Sequence, residues 1–166
     1  MILGDPLSSE TDISALISLE DTKRSLSWIE EAVSAGAKLV TGGKLEGAVL
    51  QPTILLEASN SMKVSCQEVF APIVIVNKVS TIEEAIEKVN DSRYGLQAGI
   101  YTNDVHTALT ASDQLHVGGV MVNDIPTFRV DHMPYGGVKE SGTGREGLKY
   151  AVEEMTEMKL VVWNRQ

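Results

Sequence analysis

The chain has 166 residues, 43% of them hydrophobic and 22% charged, which is the ordinary range for a soluble globular domain with one sizeable core. Its formal net charge of -9 excludes nonspecific binding to nucleic acid or to an anionic membrane surface, because both are polyanions and would repel it. No apolar stretch is long enough to span a bilayer, and the first residues lack the positive flank and apolar core of a signal peptide, so we expect a cytoplasmic protein.

The first half of the chain predicts one helix followed by strands. Ser18 can cap a helix in which Ile29 and Val33 fall on one face, and Gly36 supplies the left-handed exit. The short segments "AKLVTGG" and "LQPTIL" are predicted strands. The run "VFAPIVIVNKV" is rich in β-branched residues, which predicts a strand covered on both faces.

In the second half, helices and strands alternate. Thr81 stands three places before Glu84, a capping box that opens the helix "TIEEAIEKVNDS". There follow a strand "LQAGIYT", a helix "DVHTALTASDQL", a strand "VGGVMVN", a helix "EGLKYAVEEM" and a strand "KLVVWN". This alternation predicts an α/β fold with a mostly parallel sheet and helices on both of its faces.

Cysteine and histidine usage indicates no metal site. The single cysteine, Cys66, cannot form an intramolecular disulfide, in agreement with a reducing compartment. His106, His116 and His132 are scattered without the paired spacing of metal ligands. We therefore expect no bound metal.

The stretch "SGTGREG" has the spacing of a dinucleotide-binding turn, with glycines at positions 142, 144 and 147. Such a turn requires a buried strand before it and an acidic residue about 20 positions later. A loop with Pro134 and two adjacent glycines precedes it instead, and the chain ends soon after the following helix. We interpret these glycines as shaping a loop that enters a helix, and a free-standing nucleotide-binding domain stays as a competing hypothesis.

Four motifs carry a resemblance to a known family. In this order and at these intervals, "CQEVFAPIVIVNKV", "NDSRYGLQAGIYT", "GGVMVND" and "MPYGGVKESGTGREG" resemble the C-terminal part of an aldehyde dehydrogenase catalytic domain, and the resemblance covers nearly the whole chain. It implies that residues 1–157 are a partial catalytic domain. It also implies that residues 158–166 are a C-terminal oligomerisation strand, through which family members form homo-oligomers.

The resemblance implies a cofactor role for two residues. Glu68 matches the glutamate that accepts hydrogen bonds from the nicotinamide-side ribose of NAD or NADP, and Phe70 matches an aromatic residue beside the nicotinamide. The family has Gly where this chain has Ala71. Cys66 does not match the catalytic cysteine, which lies upstream together with the general-base glutamate, so we expect the isolated chain to contain no catalytic residue and to be inactive.

The loop before "YGG" implies the substrate class. In the family this loop forms part of the aldehyde pocket, to which Asn123, Arg129, His132 and Tyr135 would contribute. Arg129 could hold a phosphate or carboxylate on a short polar aldehyde, as in the branch that oxidises lactaldehyde, phosphorylated glyceraldehyde and semialdehyde acids; the alternative is a surface pair with Asp131. A competing overall hypothesis is a stand-alone, catalytically dead module that pairs with full-length subunits.

Overall fold

The computed structural model describes residues 1–165, which form two compact units, one from Met1 to Ser80 and one from Thr81 onward. The first unit contains α1 (Leu19–Ser34), β1 (Lys38–Thr41), β2 (Leu45–Glu46), β3 (Val49–Leu50), β4 (Thr53–Leu56), α2 (Lys63–Cys66) and β5 (Ile73–Val76). The second contains α3 (Ile82–Asn90), β6 (Tyr94–Gly95), β7 (Gln97–Ile100), α4 (Val105–Gln114), β8 (Gly119–Val122), β9 (Val138–Lys139) and α5 (Leu148–Met155). The predicted order of helices and strands is confirmed, except for the last strand.

Helix α1 begins and ends where the sequence predicts. The Ser18 hydroxyl oxygen accepts a hydrogen bond from the Asp21 amide at 3.0 Å, which satisfies one of the free donors of the first turn. Hydrogen bonds from the Ser18 hydroxyl and from Arg24 lower the pKa of the Asp21 carboxyl below its ordinary value. Gly36 lies in the left-handed region with φ 110°, where a side chain would be strained, and the chain turns there into β1.

The core of the first unit lies between α1 and one face of a three-stranded sheet in the order β1-β4-β5. In the parallel pair β4–β5, Leu55 lies opposite Ile75. Leu55 belongs to the buried cluster that also contains Ile29 of α1, and Ile75 packs against that cluster. Side chains alternate along a strand, so the neighbouring residues face the other way. Leu55 and Ile29 are almost fully buried, as core residues of a sheet covered by a helix should be.

The second face of β5 is open, contrary to the prediction that this strand is covered on both faces. Val74 and Val76 are 56% and 48% exposed. The run of β-branched residues correctly predicts a strand, but burial of its outer face requires a covering layer. No helix or strand described in the first unit supplies that layer.

Strand pairing is mixed, so the prediction of a mostly parallel sheet is not confirmed. The pairs β4–β5 and β7–β8 are parallel, whereas β1–β4, β2–β3 and β6–β9 are antiparallel. A parallel pair needs a long crossover, and both parallel pairs have one, which carries α2 or α4. The short strands β2 and β3 follow each other after two residues and can only pair antiparallel. The pattern of elements predicts the α/β class but not these small sheets.

In the second unit, Asn90 joins the ends of two helices. It is the last residue of α3, and its side-chain amide donates to the Gln114 carbonyl at the end of α4 at 2.8 Å. Its side-chain oxygen accepts from the His116 amide at 2.7 Å. The two helices are thereby fixed beside each other, and α4 also contacts β8.

The strand predicted at "KLVVWN" is not formed in the described residues. Residues 156–165 belong to no strand, and a strand requires a partner backbone for its hydrogen bonds. The large apolar side chains of the segment are exposed: Met158, Leu160, Val161, Val162 and Trp163. Gln166, the last residue of the expected oligomerisation segment, lies outside the described residues. None of the helices within residues 1–165 has the length and apolar character needed to cross a membrane.

Asp104 makes the start of α4 sensitive to pH. Its carboxylate accepts from the Thr107 hydroxyl at 2.6 Å and from the Thr107 amide at 2.7 Å, and these bonds lower the pKa of Asp104 below its ordinary value. Because the folded-state pKa is the lower one, this stabilisation is complete above about pH 4 and is lost as the pH falls through the folded-state value. We expect Asp104→Asn, which keeps an acceptor but has no titratable group, to lose less stability than the wild type between pH 7 and pH 3 in urea unfolding. An equal loss in both proteins would contradict the role of this cap.

Candidate functional site

In the first unit, the loop that follows α2 carries the two predicted cofactor residues, Glu68 and Phe70. The Glu68 carboxyl group is exposed. Phe70 is 78% exposed and has φ 51°, a left-handed conformation that is uncommon for a bulky residue. Backbone outliers of this kind cluster at functional sites.

Arg24 of α1 holds this loop in place. Its guanidinium donates to the Val69 carbonyl at 2.9 Å, between the two candidate residues. It also pairs with Asp21 at 3.2 Å and lies 4.7 Å from the centre of the Trp28 ring. A side chain fixed by three partners anchors the backbone that it contacts, so the positions of Glu68 and Phe70 depend on α1.

Cys66 lacks the surroundings of an activated nucleophile. It is half-buried at the end of α2, and its sulfur lies 3.8 Å from the Ser61 carbonyl oxygen. The side chains with which it shares this helix include no histidine that could act as its base. This environment agrees with a packing role.

In the second unit, Arg129 and Tyr135 are brought together, as the resemblance implies for a shared site. The Arg129 guanidinium lies 4.6 Å from the centre of the Tyr135 ring, within the range of a cation–π contact. The expected alternative, a pair with Asp131, is wrong: Arg129 pairs with Glu146 at 2.9 Å. Glu146 is seventeen residues away in the sequence and meets Arg129 only because the chain folds back.

Asn123 and His132 have different surroundings. Asn123 follows β8 with φ 59°, and its side-chain oxygen accepts from the Thr102 amide at 2.8 Å, which joins the ends of β7 and β8. His132 is exposed in the loop before "YGG". The structure therefore gives Asn123 a backbone-bridging contact and gives Arg129 and Tyr135 a common cluster.

The stretch "SGTGREG" forms a turn that packs against this loop. It follows the two-residue antiparallel strand β9, not a buried parallel strand, and enters α5 at Gly147. Gly147 has φ 106°, and a β-carbon there would lie 2.7 Å from the Met133 carbonyl oxygen, so only glycine fits. This geometry agrees with glycines that shape a loop. Within residues 1–165, the turn lacks the strand-turn-helix arrangement of a dinucleotide site.

Two residues between "YGG" and this turn make structural contacts. The Lys139 ammonium donates to the carbonyls of Asn90 and Ser92 at the end of α3, at 2.8 and 2.9 Å. The Ser141 hydroxyl oxygen accepts from the Gly95 amide at 3.0 Å. Both side chains hold the turn against neighbouring elements, which are structural roles.

An open pocket of about 510 Å³ lies beside the turn. The "YGG" loop, the turn and α5 line it, through residues that include Tyr135, Gly137, Ser141, Arg145, Glu146 and Met155. Among residues 1–165, no three His, Cys, Asp or Glu side chains are arranged to hold a metal ion. Arg129 is not a lining residue, but it contacts two of them, Tyr135 and Glu146.

Comparison with known proteins identifies the family. Residues 1–161 match the aldehyde dehydrogenase family. The chain is 51% identical over 164 residues to 3-sulfolactaldehyde dehydrogenase of Priestia aryabhattai. This match covers 99% of the present chain but 34% of that protein. The chain thus spans about a third of the length of the curated relatives that it matches.

Two solved structures share the fold. Aldehyde dehydrogenase 21 from Physcomitrella patens, in complex with the reaction product succinate, matches with TM-score 0.92 and 41% identity over 95% of this chain and 33% of that chain. Glyceraldehyde-3-phosphate dehydrogenase GapN from Methanocaldococcus jannaschii, complexed with NADP, matches with TM-score 0.90 and 42% identity over 96% of this chain and 34% of that chain. The match to residues 1–161, together with these identities, shows that the chain belongs to the aldehyde dehydrogenase family.

Proposed function

We propose that this chain is part of an enzyme that oxidises a short polar or anionic aldehyde to a carboxylic acid with NAD or NADP. The observation that carries the substrate class is the Arg129 guanidinium, which contacts Tyr135 and Glu146, two residues that line an open pocket. The similar proteins are named for sulfolactaldehyde, lactaldehyde and glyceraldehyde 3-phosphate, or hold succinate as product. All of these compounds are short and polar, and all except lactaldehyde carry an acidic group.

The reaction converts the aldehyde and water into the acid, and NAD(P)⁺ supplies the chemistry by accepting the hydride. A cysteine nucleophile and a general base would come from polypeptide upstream of this chain, since Cys66 lacks the setting of a nucleophile. The residues of this chain would orient the two reactants. Holding them in the reacting geometry accounts for a large part of the acceleration in such reactions.

The first prediction from this proposal concerns the chain alone. Without the upstream nucleophile, we expect no turnover with NAD or NADP and a panel of short aldehydes, measured as NAD(P)H absorbance. Turnover that survives Cys66→Ser would show that another residue of this chain is the nucleophile, and turnover abolished by that change would show that Cys66 is. Either result would contradict the proposed division of labour.

Glu68 and Phe70 are proposed to position the nicotinamide half of the cofactor. The exposed Glu68 carboxylate can accept two hydrogen bonds from the ribose hydroxyls, and the Phe70 ring offers an apolar face beside them. The Arg24 contact to the Val69 carbonyl would keep the two side chains in fixed directions. These residues therefore fit the cofactor that the family uses.

In the full-length enzyme that contains this chain, Glu68→Gln should raise the KM for the cofactor by about 10-fold, because one charge-assisted pair of hydrogen bonds is weakened. The KM for the aldehyde should change little. Glu20→Gln, which changes an exposed carboxylate in the first turn of α1, is the matched control and should leave both constants unchanged. An unaltered cofactor KM in Glu68→Gln would remove Glu68 from the site.

Arg129 is proposed to hold the acidic end of the aldehyde. Arg129→Leu in the full-length enzyme should lower kcat/KM for succinate semialdehyde relative to butanal by about 10- to 100-fold, since a hydrogen bond to a charged group contributes about 1.5–3 kcal/mol. The control is Arg93→Leu, because Arg93 also pairs with a glutamate, Glu140, and lies 5.6 Å from a tyrosine ring, that of Tyr94. If both variants keep the wild-type preference, the substrate class is wrong.

The exposed apolar segment after α5 favours an association role as a second function. We propose that residues 158–166 join subunits, because Leu160, Val162 and Trp163 are large apolar side chains left in solvent. The same surface would serve a stand-alone, catalytically dead module that pairs with full-length subunits. The reading frame upstream distinguishes the two: a cofactor domain and a cysteine segment there favour the enzyme, and a genuine start codon with a ribosome site favours the module.

A further inference from the structure

We infer that Glu146 is a positioning residue that aims the Arg129 guanidinium and so sets how strongly the enzyme prefers an anionic aldehyde. This inference rests on the proposed substrate role of Arg129. It assigns a function to the "SGTGREG" turn beyond its backbone shape. Three features of the second unit support it: the backbone bridge between Tyr135 and Glu146, the two contacts that Arg129 makes with these residues, and the hydrogen bonds of Arg145 within the turn.

The backbone bridge places Glu146 and Tyr135 side by side. The Tyr135 amide donates to the Glu146 carbonyl at 3.2 Å, and the Glu146 amide donates to the Tyr135 carbonyl at 2.6 Å. Two residues that exchange both hydrogen bonds are directly opposed in an antiparallel pair, and their side chains project to the same face. The carboxylate and the aromatic ring therefore meet Arg129 together.

These two side chains contact the planar guanidinium of Arg129 at its edge and at its face. Glu146 accepts a hydrogen bond from one terminal nitrogen of Arg129 at 2.9 Å, which sets the rotation of the plane. Tyr135 lies against its face at 4.6 Å, which sets the tilt. No other hydrogen bond from Arg129 is formed within residues 1–165, so the remaining donors of its fork can reach an anion.

The side chain of Arg145 fixes the backbone of the turn that carries Glu146. The neighbouring Arg145 donates to the carbonyls of Gly137 and Gly144, at 2.9 and 2.7 Å. These bonds tie the turn to the "YGG" loop on one side and to its own backbone on the other. Glu146 thus projects from a braced segment, as a residue that orients another side chain requires.

Exposure indicates that the pair acts through geometry, not through stability. The side chains of Arg129 and Glu146 are 47% and 63% exposed, and ion pairs of that kind add little to folding. An unheld arginine loses rotamer freedom when it binds a ligand, and prior fixation of one such side chain corresponds to about 3- to 10-fold in affinity. The contribution of Glu146 should therefore appear in substrate preference.

The test measures kcat/KM for succinate semialdehyde and for butanal in the full-length enzyme. Glu146→Ala should lower the ratio of the two constants about 3- to 10-fold, through a higher KM for the anionic aldehyde. Glu146→Gln should restore the ratio to within about 2-fold of wild type, because its amide oxygen still accepts the hydrogen bond from Arg129. Glu140→Ala, which removes the glutamate partner of Arg93, is the matched control and should leave the ratio unchanged.

Several results would overturn the inference. A ratio unchanged in Glu146→Ala, or lowered equally in the alanine and glutamine variants, would exclude positioning by this hydrogen bond. A loss of turnover shared by both aldehydes leaves the ratio constant and would exclude it as well. Arg129→Leu separates this failure from that of the substrate proposal: if it lowers the ratio and Glu146→Ala does not, only the positioning role is wrong, and if neither does, Arg129 does not select the substrate.

Discussion

The pair of backbone hydrogen bonds between Tyr135 and Glu146 is the constraint on which the candidate substrate site depends. It closes the long segment between β8 and α5, which otherwise contains only the two-residue strand β9. That closure brings Glu146 beside Tyr135, and both side chains contact Arg129. A single two-residue bridge thus converts an irregular connection into a defined site, as loops fixed by a scaffold often do.

The sequence predicts most elements of the fold because their signals are local. Ser18 and Thr81 cap helices with their own side chains, and the Thr81 hydroxyl accepts from the Glu84 amide at 3.2 Å, three residues on. Strand pairing could not be predicted in the same way. Whether β1 joins β4 antiparallel or parallel depends on connection lengths and on packing across the sheet, and a pattern of apolar residues contains neither.

The site was predictable only in part, for the same reason. The resemblance points to Arg129 and Tyr135, and the structure brings them into contact. The sequence offered Asp131, two residues away, only as an alternative ion-pair partner of Arg129, and it did not indicate Glu146. Glu146 becomes the partner through a tertiary bridge, and the only hint in the sequence is its place among glycines, which permit the sharp turn that returns it to the loop.

The open outer face of β5 has a consequence for handling the chain in solution. Strand β5 lies at the edge of its sheet, so its valines stand beside a row of backbone groups that can pair with another strand. Such an edge can associate with another chain in two ways: its backbone groups can form hydrogen bonds to a further strand, and its exposed valine side chains can be buried. The exposed Val74 and Val76 therefore favour self-association of the free polypeptide, which its net charge of -9 opposes.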